Sequence, residues 1–215
     1  MHEARDISGA IGVGVLIVTL FILLYRRHRM GQGGGYFLAS LFALTAIEGY
    51  STFQRATDKT YNTSPVYIIG IELVVFALLL FYFRKLLVRP VFRSISMAII
   101  LFFFIQYFLG AFLIDDFFTK LPFITYLLGV LCIAGSVILV LWQTFNSNEI
   151  FTLNNYFPFW ACVSTLIIFI GVLPLLVARY YAGLNANIFY TTLFLVHVLG
   201  HLATIIGILK AKPQE

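Results

Sequence analysis

Charge is scarce in this sequence. Of its 215 residues, 11% are charged and 61% hydrophobic, whereas a soluble domain carries about a quarter charged and roughly half apolar residues. That shortage excludes an ordinary water-soluble globule, whose polar surface must cover its core. Cysteine is scarcer still: Cys132 and Cys162 are the only two, each alone in an apolar run. Neither a disulfide framework nor a zinc ribbon is written here, and both read as small apolar packing groups. Segments of about ten residues alternating apolar with polar, the mark of a membrane β-barrel, are missing. Internal repeats are also missing, which leaves an inverted-repeat transporter without support. The "GQGGG" at 31–35 follows no strand and reads as a turn rather than a phosphate loop.

What the sequence has in quantity is long apolar runs. A hydrocarbon layer about 30 Å thick needs roughly 17 to 25 residues at 1.5 Å each. Seven such runs occur, at 8–25, 36–54, 66–83, 95–114, 121–144, 157–178 and 187–209. The expected fold is all-α: one polytopic seven-transmembrane-helix bundle occupying 1–215, with short loops that make consecutive helices antiparallel neighbours. Pro65, Pro122 and Pro158 fall near the starts of the third, fifth and sixth spans, where a missing N–H costs nothing. Pro174 lies inside "IFIGVLPLLVARYY", which predicts a kinked or loosened turn near the outer end of the sixth span.

Orientation follows from the basic residues, which stay on the cytoplasmic side. Arg26, Arg27, Arg29, Arg84, Lys85, Arg89, Arg93, Lys210 and Lys212 share one side, and Arg5, Arg55, Lys59, Lys120 and Arg179 the other. The N-terminus is expected outside and the C-terminus in the cytoplasm of an inner, cytoplasmic-type membrane. The loop "TFNSNEIFTLNN" belongs inside yet carries no Lys or Arg. In the first span the basic "RRHR" follows the apolar stretch, the reverse of a signal peptide, so an uncleaved first helix is expected. The net charge of +5 sits beside spans without any nucleic-acid motif, so the bilayer, not nucleic acid, is the expected partner.

Polar side chains at membrane depth are costly and mark candidate sites. Glu48 and Glu72 lie about 10 Å from the outer ends of their spans, Gln106 about 12 Å, and His197 about 15 Å, with His201 one turn deeper. Positions 197 and 201 are stacked on one helix face. If that face looks inward, His197 pairs with Glu48 or Glu72, and a ligand cation would relieve a buried carboxylate in the same way. Thr45, Tyr50, Ser51, Tyr107 and Tyr126 are further candidates to line the region. The five residues Glu48, Glu72, Gln106, His197 and His201 thus form a candidate ligand pocket in the outer half of a receptor-like or accessory protein. It would bind a small or lipophilic molecule or sense protons. The alternative is interhelical glue, each polar contact worth about 1 kcal/mol, in a subunit of a larger complex with a partner membrane protein.

The pair in "HVLGH" also forms half of a zinc site. It resembles the H-x-x-x-H of the seven-helix zinc hydrolases that include alkaline ceramidases and the progestin and adiponectin receptor group. That resemblance implies a zinc cofactor and amide or ester hydrolysis. In that superfamily a second-helix Ser is followed four residues later by a zinc-binding His; here Ser51 is followed by Arg55. Glu48 or Glu72 would have to supply the third ligand. No cofactor is therefore expected, with zinc as the alternative. The stretches "SPVYIIGIELVVFALLLFYFRKLL" and "NNYFPFWACVSTLIIFIGVLPLLV" resemble small seven-helix membrane proteins common in Bacteroidota, which are similar to membrane input domains of sensor kinases. This second resemblance implies a bacterial inner-membrane protein.

Overall fold

The computed structural model describes residues 3–212, with side chains from residue 7 onward. Among the described residues there is no strand. The described residues form seven helical rods: α1 (Glu3–Tyr25), α2 (Gly34–Thr57), α3 (Ser64–Leu86), α4 (Pro90–Leu113), α5 (Phe123–Phe145), α6 (Phe157–Tyr181) and α7 (Ala186–Lys210). Six of them are long and apolar enough to cross a membrane. The exception is α2, which covers the expected residues but is diluted by Gly34, Gly35, Thr45, Glu48, Gly49, Ser51, Thr52 and Arg55. Seven apolar spans were expected, so the apolar count falls one short at the helix that carries the most polar groups.

The rod boundaries follow local chemistry. Gly33 precedes α2 with a left-handed φ of 78°, and a Cβ there would come 2.8 Å from Cβ of Lys85, so this turn requires glycine. Pro65, Pro90 and Pro158 sit in the first turns of α3, α4 and α6, where the lost N–H has no intrahelical partner to miss. Asn185 caps α7 by accepting a hydrogen bond from the Asn187 N–H at 2.9 Å. Pro174 does not end α6. The loosening falls in the turn before it, where Leu166–Ile170 is π-helical. Proline at 174 has no N–H to give the Ile170 carbonyl, so the ladder there is open to a wider turn.

Helix α3 packs against α2, α4 and α5, while α7 lies along α1 and α6. Phe76, Leu80, Tyr82 and Phe83 of α3 are fully buried. Half of the apolar window of α5 is inside the bundle, against 17% for α1 and 22% for α4. Those two helices therefore have the most apolar surface to place against lipid. The close contact of α7 with α6 depends on two glycines. A Cβ on Gly200 would lie 2.3 Å from Cγ1 of Ile168, and one on Gly207 would lie 2.2 Å from Cβ of Trp160. Small residues that let backbones approach are the usual basis of helix association where lipid supplies no hydrophobic drive.

At one end of the bundle, Arg29 donates to the Ala211 carbonyl at 3.0 Å and Arg26 to the Leu209 carbonyl at 3.3 Å, closing the exposed carbonyls of α7. Gln143 of α5 accepts from the Val88 N–H at 2.7 Å and donates to the Leu86 carbonyl at 3.1 Å, tying the α3–α4 turn to the same end. The Asn148–Asn155 loop, which carries no Lys or Arg, joins them there, because the Lys212 N–H donates to the Asn155 carbonyl at 3.2 Å. At the opposite end, Lys120 holds Asp116 below the usual carboxylate range through a 2.9 Å ion pair.

Replacing Gly207 by Ala is expected to cost about 1–3 kcal/mol by overpacking against Trp160. Gly12→Ala, where an added Cβ meets nothing within 4 Å, is expected to match or exceed the parent. Thermal unfolding of both variants in one detergent checks the pair.

Candidate functional site

A cavity of about 410 Å³ opens in the half of the bundle that holds the start of α1, the end of α2 and the start of α7. Six rods wall it, and α4 is the one that contributes no lining residue. The walls are mostly apolar: Leu16 of α1, Leu44 of α2, Ile68 of α3, Ile168 and Phe169 of α6, Phe189 of α7. Gly9 and Gly12 of α1 also face it, and the open space beside Gly12 shows that the small residue leaves room there. A few polar groups set in an apolar wall of this size are the general pattern of a small-molecule site.

The polar groups form two sets. At the mouth, Tyr67 of α3 donates its hydroxyl to Oε2 of Glu48 at 2.8 Å and accepts a long contact from Nη1 of Arg55 at 3.4 Å. Arg55 also reaches Oγ1 of Thr52 at 3.3 Å. Among the described residues the only salt bridge is that of Lys120 with Asp116, so Glu48 and Arg55 balance each other through the tyrosine rather than by direct contact. The second set is deeper. Glu72 is 2% exposed, and neither carboxylate oxygen meets a protein hydrogen-bond partner. His201 is 3% exposed, and its buried Nε2 meets none either. His197 spends Nδ1 on the carbonyl of Leu193, one turn back on its own helix, at 2.8 Å.

Glu72 lies within a second π-helical stretch, Ile68–Val75. A π turn holds about five residues per hydrogen-bonded ring instead of four, so residues five apart draw toward one face. Tyr67 and Glu72, five apart, both line the cavity. The π turn of α6 supplies Ile168 and Phe169 to the same space. Both widened segments among the described residues thus face one cavity. Single π turns inside α-helices occur frequently at functional sites.

Four of the five residues singled out from sequence, Glu48, Glu72, His197 and His201, border this cavity. Gln106 does not. It is buried on α4, its amide atoms without protein partners, and α4 is kept from the cavity by α3 and α5. The expected pairing of His197 with Glu48 or Glu72 does not form. The Leu193 carbonyl takes the imidazole, and Tyr67 takes Glu48. Of the further candidates, Tyr126 lines the cavity. Tyr50 instead contacts Tyr61, Thr45 donates to the Leu41 carbonyl, Tyr107 donates to the Ile68 carbonyl, and Ser51 is buried without a protein partner. Tyr67 and the α1 glycines were not singled out in the sequence, and Arg55 was named there only as a basic residue of the outer side and as the residue four after Ser51. Tyr67 was within reach of depth arithmetic, but α-helical spacing sets it apart from Glu72.

For the zinc alternative, the residues named from sequence, His197, His201, Glu48 and Glu72, all border the cavity. Among the described residues no three His, Cys, Asp or Glu side chains come together as a metal-holding group.

Tyr67→Phe removes the donor to Glu48 and leaves a partly buried carboxylate unbonded, at an expected cost of about 1–3 kcal/mol. Combining it with Glu48→Gln is expected to return part of that loss. A double-mutant cycle read by thermal unfolding measures the coupling, and additive losses would contradict the contact.

No family model matches the chain, and no curated protein or solved structure matches it.

Proposed function

We propose that this chain is a receptor-like or accessory protein of a bacterial inner membrane whose cavity binds a small lipophilic molecule bearing a hydrogen-bond donor or a positive charge. The observation that carries this reading is Glu72, a carboxyl group on an apolar cavity wall whose two oxygens meet no protein donor. Burying such a group without a partner is expensive, and a ligand N–H or O–H removes the cost. The mouth does not compete for the same ligand group, since Glu48 and Arg55 are balanced through Tyr67. An anionic head would meet Glu72 unfavourably.

The same reading includes seven crossings, with the N-terminus outside and the C-terminus in the cytoplasm. Support for α2 as a crossing comes from its packing between α1 and α3 and from its 24 residues, ample for a layer of about 30 Å. Support for the orientation comes from the nine basic residues at the α7 C-terminal end. The reading assigns no catalytic step.

Octylamine, octanol and octanoate share one chain and differ in the head group. In thermal-shift measurements on the purified protein, the amine and the alcohol are expected to raise the melting temperature and the carboxylate is not. Gly12→Trp, which fills the cavity, is expected to abolish all shifts, and Glu72→Gln to abolish the preference for the amine. Equal shifts for all three heads, or shifts that survive Gly12→Trp, would overturn the assignment.

Orientation is checked with single cysteines in a background where Cys132 and Cys162 are replaced by Ala. In intact cells an impermeant maleimide is expected to label Asn62→Cys and to spare Ser147→Cys.

A further inference from the structure

His201 borders two spaces. One is the cavity already described, and the other is a separate void of about 30 Å³. Four hydroxyl-bearing residues line this second space: Ser40 of α2, Ser164 and Thr165 of α6, and Thr204 of α7. Apolar side chains, among them Phe37, Leu41, Leu79 and Phe169, form the rest of its walls. Apolar voids stay dry, but a void of more than about 10–15 Å³ with two to four polar neighbours holds an ordered water. This one exceeds the volume and meets the polar requirement.

The hydrogen bonds already made leave the right valences open. Thr204 donates its hydroxyl to Oγ of Ser164 at 2.7 Å, with the Gly200 carbonyl also within 3.3 Å. Ser164 therefore accepts, and its own hydrogen is free to point elsewhere. Ser40 donates to the Phe37 carbonyl at 2.7 Å and keeps lone pairs. His201 lines this space, and its Nε2 is buried with no protein partner. The bland role for a membrane histidine, a direct bond to a facing helix, is not made through that nitrogen.

We propose that this void is an internal water site, that its water joins Nε2 of His201 to the Ser164–Thr204 hydroxyl pair, and that the histidine's ring proton exchanges through it. The water donates to Nε2 when that nitrogen carries no hydrogen and accepts from it when it does; in the second state the Nε2 proton passes to the water and one of the water's own protons returns, so ring and water each keep their proton count and charge and no heavy atom moves. The water also ties α2, α6 and α7 together at one point. The titratable groups bordering the cavity side of His201 are Glu48 and Arg55 from α2, Tyr67 and Glu72 from α3, Tyr126 from α5, and Tyr190 and His197 from α7. On the void side no other titratable residue is present among the lining. The proposal is independent of any ligand in the larger cavity.

Nuclear magnetic resonance on the full chain with ¹⁵N-labelled histidine tests it, with the His201 signal assigned by its loss in His201→Gln. Magnetisation transfer from water to the His201 ring is expected in the parent, although the side chain is 3% exposed. In Ser164→Ala/Thr204→Val that transfer is expected to be lost, while transfer to the exposed His28 is unchanged. If the double variant does not fold, Ser164→Ala alone is measured against the parent in the same way. A His201 ring that receives no transfer in the parent, or equal transfer in the variants, would overturn the proposal.

Discussion

The cost of holding Glu72 inside an apolar bundle is the constraint from which the rest of this structure follows. A membrane helix must satisfy its own backbone and leaves few spare donors for a side chain at depth. Glu72 sits where its helix is wound as a π turn, against a cavity instead of against a neighbour's hydroxyl. A bundle built only for stability would pack an apolar residue there. Leaving a buried polar group without a hydrogen-bond partner costs about 1–3 kcal/mol, a cost that an apolar residue of similar volume does not carry.

Glycine placement makes the cavity possible and bounds it. Gly200 and Gly207 press the C-terminal half of α7 onto α6. Gly12 on α1 faces open space at the cavity. One helix pair is drawn tight through missing side chains, whereas the missing side chain of Gly12 leaves room beside the cavity. The arginines that close the α7 C-terminus fix α1 to α7 at the tight end. The cavity lies toward the opposite end, where Ser8 and Phe189 border it.

Much of the fold was legible in the sequence because its causes are local. Apolar runs and first-turn prolines set the rods to within a few residues, as with the run at 187–209 and the helix Ala186–Lys210. The Pro174 effect was legible in kind but displaced by one turn, since the group a proline deprives is the carbonyl four residues earlier. The site was legible only as a list of polar residues at similar depth. Depth does not say which way a helix is turned, so Gln106 looked equivalent to Glu72 although its helix is screened from the cavity by two others. Nor does it reveal competition from nearer partners. Leu193 and Tyr67 had taken His197 and Glu48 before either could pair across the bundle.

Helix α2 joins these threads. It falls short of the apolar measure because of residues such as Glu48 and Arg55. Those two border the cavity mouth, and Tyr67 of α3 bridges them. A rod that lay free in lipid would pay for each of these groups separately, whereas a rod lodged between α1 and α3 turns them toward partners and open volume. Low hydropathy in α2 and the polar mouth are thus one feature seen in sequence and in space. By the same logic α1 and α4, whose apolar windows are the least buried, carry no Asp, Glu, Lys or Arg between Ile7 and Tyr25 or between Ser94 and Leu113.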